Sequence, residues 1–188
     1  MAGRPAALTA DGDLTVDGRR LQLAIGDITT EAVDAIGNAA NEALRGGGGV
    51  DGAIHAAAGP GLLDELRSRY PNGTPTGTAV ATGAHQLPAR WVIHAVGPIW
   101  RGGGQREEQL LAGAYRSTMQ LANELGAASV ALPAISMGIY GYPAADGARI
   151  AVQTVASQLA SSSSVTLVRF VLLPATWQPF ADALRTIE

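Results

Sequence analysis

The 188-residue chain predicts an α/β fold with a mixed, mostly parallel sheet covered by helices on both faces. Three observations carry this. Short apolar runs alternate with helical patterns along most of the length. Two N-terminal strand candidates flank Asp17-Gly18, a dipeptide suited to a tight hairpin turn. The notable glycine-bearing loops each follow a strand, as in sheets that gather a ligand at the carboxyl ends of their strands.

The hairpin strands are Leu14 to Val16 and Arg20 to Ile25. Ala35 to Ala39 is a short buried-strand candidate. Val50 to Gly59 and Leu62 to Tyr70 read as helices broken by Gly59-Pro60-Gly61, and Pro71 to Gly77 is a loop. Thr78 to Ala84 and Trp91 to Val96 are strands, the second ended by Gly97-Pro98, with a glycine-rich connector from Arg101 to Gln105. Glu107 to Leu125 is the longest helix, with Leu110, Leu111, Ala114, Met119 and Leu121 near helical spacing and Gly126 as its stop. Ser129 to Leu132 is a strand that feeds a loop from Pro133 to Pro143. Ala144 to Ala160 is helical, Ser161 to Ser164 links it to the apolar strand Val165 to Leu173, and Thr176 is placed to cap a last helix, Trp177 to Arg185. One domain is expected over residues 1–188, with 1–19 an N-terminal extension and part of the hairpin.

Composition narrows the function classes. Hydrophobic residues make up 47% and charged residues 15%, which argues against long disorder. The net charge is −3, from 13 basic and 16 acidic residues, with no basic stripe for broad nucleic-acid binding. Without cysteine there is no disulfide, no thiolate nucleophile and no Cys-ligated metal. His55, His85 and His94 lack metal-ligand spacing with nearby carboxylates, so no metal is expected. No signal peptide or membrane span is legible, and a cytoplasmic monomer is the expectation.

The richest segment is Asn38 to His55. Gly46 to Gly49 let main-chain N–H groups approach a ligand, and the helix that follows adds unpaired amides and the positive end of its dipole. This is an anion site beside a carboxylate and an imidazole. It is not a Walker loop, because the Gly-Lys-Ser/Thr ending is missing. Asp51 and His55 share one helix face, with Asp51 expected to stay ionised at the helix start and His55 to orient it or carry a proton. Asn38 and Asn41 suit ribose hydroxyls, or else brace the loop. Asp27 in Gly26-Asp27-Ile28-Thr29 has two readings, a helix cap or an acceptor for an exocyclic amine. Ser136 to Pro143 offers a second amide nest, in which Tyr140 is placed to lie over a sugar or shield the site from water, or else to pack as a core aromatic, the reading preferred for Tyr142. His94 reads as structural, and His85 has no assigned role.

Together these segments resemble a macrodomain of the MacroD type, which includes bacterial O-acetyl-ADP-ribose deacetylases. The resemblance runs from about Leu21 to near the C-terminus. Its motifs are Gly-Asp-Ile-Thr at 26–29, Asn-Ala-Ala-Asn at 38–41 and the glycine run through His55 at 46–55. It continues in Leu87-Pro88-Ala89, Val96-Gly97-Pro98, Pro133-Ala134-Ile135-Ser136 and Gly138 to Pro143.

The resemblance implies a three-layer α/β/α sandwich that binds ADP-ribose as ligand or product without a cofactor. By position, Asp27 and the Ile28 amide would meet adenine, while the amides of Gly48, Gly49 and Val50 and of Ser136, Met137, Gly138, Ile139 and Tyr140 would wrap the diphosphate. Asn41 and Asp51 would meet the distal ribose, His55 would support Asp51, and Tyr140 would pack on that ribose. The implied reaction is ester hydrolysis at the distal ribose, with either Asp51 or a substrate phosphate as base. Implied substrates are O-acetyl-ADP-ribose and ADP-ribose on Asp or Glu of proteins, and ADP-ribosylated nucleic-acid ends present the same ribose; a reader module without turnover is the alternative. The chain departs from the family pattern at three places. Gly37 replaces the usual Val, which is expected to loosen the strand end. Met137 replaces a Thr, and Leu173 stands where relatives often stack an aromatic on adenine, with Trp177 or Pro174 as possible substitutes.

Overall fold

The computed structural model describes residues 7–8 and 12–187. Its sheet has eight strands: β1 (Ala7–Leu8), β2 (Asp13–Val16), β3 (Arg19–Ile25), β4 (Ala35–Ala40), β5 (Ala79–Gly83), β6 (Trp91–Val96), β7 (Ser129–Leu132) and β8 (Leu167–Leu172). Their spatial order is β1-β2-β3-β8-β7-β4-β6-β5. From β3 to β6 every neighbouring pair is parallel, while β1, β2 and β5 add antiparallel edges. The rest of the expected extension, residues 1–6 and 9–11, lies outside the described residues.

The hairpin forms as the Asp-Gly pair predicts. Val16 pairs with Arg19, and Asp17 and Gly18 both adopt positive φ, 48° and 79°. That is the type I′ geometry whose twist matches the flanking strands.

Five helices cover the sheet: α1 (Gly49–Ala58), α2 (Pro60–Arg69), α3 (Glu107–Glu124), α4 (Ala144–Ser161) and α5 (Pro174–Arg185). One apolar layer joins Ile54 and Ala58 of α1 and Leu62 and Leu66 of α2 to Ile36 and Ala40 of β4 and Val92 and Val96 of β6. The other joins Leu111, Tyr115, Val155 and Phe180 of α3, α4 and α5 to Ile93, Val130 and Phe170 on the opposite sheet face. The result is a three-layer α/β/α sandwich. Strand parity sets the assignment, since successive side chains point to opposite faces.

Two expectations change. The last helix begins at Pro174, not after Thr176, because proline is preorganised for the first helical position and its missing N–H costs nothing there. The Thr176 hydroxyl instead donates back to the Leu173 carbonyl at 3.1 Å. Nor is the strand at Gly37 loosened. A Cβ there would lie 3.0 Å from Leu132 Cδ2 and 3.2 Å from Pro133 Cδ, so these side chains fill the space a larger residue would take.

Candidate active site

Because the central strands are parallel, their carboxyl ends share one edge of the sheet. The chain leaves β3 into Gly26-Asp27-Ile28, β4 into Asn41 and the glycine loop, β7 into Pro133 to Tyr142, and β8 into Leu173. All four exits line one cavity of about 680 Å³.

The glycine loop and the Ser136 loop face each other across it. A Cβ on Gly48 would stand 3.0 Å from Ile139 Cδ1. Gly47, Gly48, Gly49 and Val50 donate no amide hydrogen bond among the described residues, since they precede or open α1. In the opposite loop the same is true of Ser136, Gly138, Ile139 and Tyr140. Two sets of free donors with a helix N-terminus behind one of them make a strong anion cradle. The Met137 amide reaches the Ala134 carbonyl at 3.4 Å, so it is partly engaged. Met137's thioether packs on α4, where a Cβ on Gly147 would come within 2.9 Å of its sulfur, so the missing threonine hydroxyl is not replaced at the cavity wall.

Ser136 holds a left-handed φ of 67°, and its buried hydroxyl has no hydrogen-bond partner among the described residues. A side chain on Gly97 would clash with that hydroxyl and come within 2.5 Å of Ile135 Cγ2. Glycine at 97 therefore lets the end of β6 approach this loop.

Asp51 lies in the first turn of α1 at the cavity wall, only 4% exposed. Its Oδ1 accepts a 2.7 Å hydrogen bond from Asn38 Nδ2 and sits 3.4 Å from His55 Nε2. Its Oδ2 faces the position a Gly47 Cβ would occupy, at 3.1 Å, with Asn41 Nδ2 near the same point. One oxygen is anchored and the other is presented to the cavity. Burial pushes the Asp51 carboxyl above the usual carboxylate value, opposed by the Asn38 donor and the neighbouring His55. A buried carboxylate of this kind is a better proton acceptor than an exposed one.

Asn38 does not touch the cavity. It is fully buried behind Asp51 and braces that carboxylate in place of the expected ligand contact. β4 parity explains this, because Asn38 shares its face with Ile36 and Ala40, toward α1. Its amide also lies 3.1 Å from His94 Nδ1, the residue opposite it in the β4–β6 register. With both amide hydrogens spent on Asp51 and His94, Nδ1 of His94 is an acceptor. The ring proton then sits on Nε2, which meets the Thr82 hydroxyl at 2.9 Å. Burial first, and the neighbouring His55 next, depress the His94 imidazole to about 3, so the ring is neutral. The line Thr82–His94–Asn38–Asp51 is the part that reading residues one at a time misses. The signal for it was the alternation of 36/38/40 and 92/94/96, which turns both polar residues toward the same helix.

The other expected residues sort cleanly. Asn41 lines the cavity and donates to the Gly46 carbonyl at 2.9 Å, bracing the glycine turn. His55 is not on the wall but flanks Asp51 and lies beside Gly46. Asp27 is both cap and wall. Its Oδ1 accepts from the Thr29 amide at 2.9 Å and hydroxyl at 2.7 Å, while Oδ2 makes no hydrogen bond among the described residues. Those two donors hold its carboxyl below the ordinary value. Tyr140 lines the cavity, and burial first, then the charges of Asp51 and Glu42, push its phenol upward, so it stays a donor. Tyr142 is buried against Trp100, ring centroids 4.8 Å apart. His85 pairs with Glu65 at 2.8 Å, outside the cavity. Leu173 is exposed and lines the cavity beside Val171 and Ile28, whereas Trp177 packs against the core and neither it nor Pro174 lines the wall.

The chain is similar to known proteins over most of its length. The family model described as Macro domain matches residues 37–151. An O-acetyl-ADP-ribose deacetylase of Escherichia coli strain K12 is 54% identical over 154 residues, covering 81% of this chain and 87% of that protein. A Macro domain-containing protein of Streptomyces griseus is 56% identical over 159 residues, 82% of this chain and 88% of its own. Among solved structures, an Oceanobacillus iheyensis macrodomain with ADP superposes with a TM-score of 0.86 at 40% identity, over 92% of this chain and 94% of that one. A Trypanosoma brucei macrodomain in complex with ADP-ribose gives 0.80 at 36% identity, over 87% and 68%.

Proposed function

Since the chain belongs to the macrodomain family, we propose that it is an ADP-ribose-binding hydrolase that cleaves esters at the distal ribose. Its substrates on this reading are O-acetyl-ADP-ribose and ADP-ribose joined to Asp or Glu of proteins. The observation that carries it is Asp51, with one oxygen tied to Asn38 and the other turned into a cavity walled by two amide nests. A reader of ADP-ribose needs the nests but not the braced carboxylate.

The ligand lies across the strand ends. Adenine rests on Ile28 and Leu173 with its amino group at Asp27 Oδ2, the diphosphate sits between the two loops, and the distal ribose reaches Asn41, Asp51 and Tyr140. A water beside Asn41 and Asp51 Oδ2 attacks. Its oxygen joins the acyl carbon, the bond from that carbon to the ribose oxygen breaks, and the proton taken by Asp51 passes to the ribose. The products are a carboxylic acid and ADP-ribose. Fixed amides that hold the diphosphate supply the positioning that makes the attack effectively unimolecular.

Wild type and Asp51→Ala, incubated with O-acetyl-ADP-ribose and with Glu-linked ADP-ribosylated protein, test the reading. Turnover should fall about 10²-fold or more while ADP-ribose affinity changes less than about fivefold, the pattern of a group that acts in the transition state. Comparable losses in both would make the protein a reader, and a preference for ATP over ADP-ribose in calorimetry would refute both.

A further inference from the structure

A second cavity, of about 500 Å³, opens on the same edge of the sheet. It shares Asn41, Gly97 and Tyr140 with the first, so the two meet where the distal ribose is placed. Sheet order gives the direction. The adenine end belongs to β3 and β8, the diphosphate to β7, the ribose to β4, and the second cavity to the exit of β6, one strand further along. That step adds about 5 Å.

Its walls are fixed rather than loose. On one side the connector after β6 is pinned by the Glu107 carboxylate, which accepts from the amides of Arg101, Gly103 and Gln105 at 3.1, 3.2 and 2.5 Å. The Trp100 amide ties the same connector to the Tyr140 carbonyl at 2.9 Å. On the other side Glu42 Oε1 accepts from the Thr76 amide and hydroxyl at 3.0 and 2.7 Å. Between them lie Val96, Ala43 and Leu110, with Ile99 48% exposed at the mouth and Arg101 beside it. The two carboxylates of this wall are tied to its amides and to the Thr76 hydroxyl, and Arg101 is the one cation among its lining residues.

We propose that this cavity is the acceptor subsite, taking the acyl side chain and flanking backbone of an ADP-ribosylated polypeptide. This rests on the hydrolase reading above and adds where the polypeptide part of its substrate would bind. A two-carbon acyl group, about two water volumes at roughly 30 Å³ each, leaves most of the space empty. An Asp or Glu side chain with its peptide fills it. Apolar Val96, Ile99 and Leu110 beside one arginine and two carboxylates suit a peptide, whereas a nucleic-acid strand needs several cations along its phosphates.

The full-length protein is assayed as wild type, Ile99→Asp and Arg101→Glu, with three substrates: O-acetyl-ADP-ribose, a Glu-linked ADP-ribosylated peptide and an oligonucleotide ADP-ribosylated on its terminal phosphate. Expected is a loss of about tenfold in kcat/KM on the peptide, the scale of one altered pocket contact, with O-acetyl-ADP-ribose turnover within about twofold. Equal losses on both, or none on the peptide, overturn the subsite. An oligonucleotide loss matching the peptide's overturns the polypeptide assignment. Wild type inert toward all three substrates overturns the hydrolase reading itself, and the subsite with it.

Discussion

Replacing Asn38 by leucine removes the one side-chain hydrogen bond that the Asp51 carboxylate accepts among the described residues. That bond is 2.7 Å long, and its donor is fully buried. Without it the carboxylate is free to leave the attack geometry. An orientation penalty the size of that bond, about 1.5–3 kcal/mol for a charged partner, lowers the rate by roughly 10–150-fold even though the carboxyl itself becomes more basic. The direction with pH is also fixed. Asn38 favours the ionised carboxyl against burial, so its loss moves the Asp51 pKa higher still. At any acidic pH less of the base is then ionised, and the acid limb of the kcat/KM profile shifts to higher pH. The substitution also leaves His94 Nδ1 without its donor, at a stability cost of about 1–3 kcal/mol, which a urea titration measures separately. ADP-ribose affinity should stay within about threefold, because Asn38 is not on the cavity wall and the ribose keeps Asn41. An unshifted acid limb with kcat within twofold of wild type would refute the bracing role of Asn38 and the use of Asp51 as base together.

His94, neutral in the fold with its pKa near 3 against 6.5 for a free side chain, binds fewer protons folded than unfolded. Its contribution is therefore present above pH 6.5 and is lost as pH falls toward 3, about 3 kcal/mol by pH 4.5 at roughly 1.4 kcal/mol per unit. In His94→Phe the urea midpoint should fall less between pH 7 and 4.5 than in wild type, and an equal fall would show that another group controls acid unfolding. Gly48→Ala puts a methyl 3.0 Å from Ile139 Cδ1 at a φ of −94°, where the backbone is unstrained. ADP-ribose should bind about tenfold (~1.4 kcal/mol) more weakly, and adding Ile139→Ala should restore it; calorimetry on the double mutant decides. Leu173→Phe should tighten ADP-ribose about two- to tenfold through stacking worth roughly 0.5–1.5 kcal/mol, with no gain for ribose 5-phosphate, and equal gains for both ligands would remove adenine from this wall.

What the sequence made legible followed local rules, and what it hid followed from tertiary parity. Trp91–Val96 and Ser129–Leu132 appear at the expected bounds because each is an apolar run closed by a turn signal or a proline. The convergence of the two glycine-bearing loops was also readable, since strand exits in a parallel sheet share an edge. Thr176 failed as a cap because a proline two residues earlier is the stronger helix opener. Asn38 was misjudged for a different reason. Its neighbour three residues on does reach the cavity, but Asn38 is still inside β4, where the pleat and not the loop decides direction.

That distinction bears on how the site is built. Asn41 and the amide nests belong to turns, and their positions depend on backbone conformations such as the left-handed Ser136. Asp51 is instead referenced to the sheet, through Asn38 on β4, His94 on β6 and Thr82 on β5, all buried. Strand-borne side chains are held by the hydrogen-bond ladders on either side of them, so the carboxylate is located by three neighbouring strands. The loop amides proposed to hold the diphosphate have no such ladder beside them. A turn displaced by a substitution would then leave the base in place. Substitutions in the loops should therefore register first in KM, and substitutions along the strand-borne line first in kcat, a division that steady-state kinetics on Gly48→Ala and Asn38→Leu reads directly.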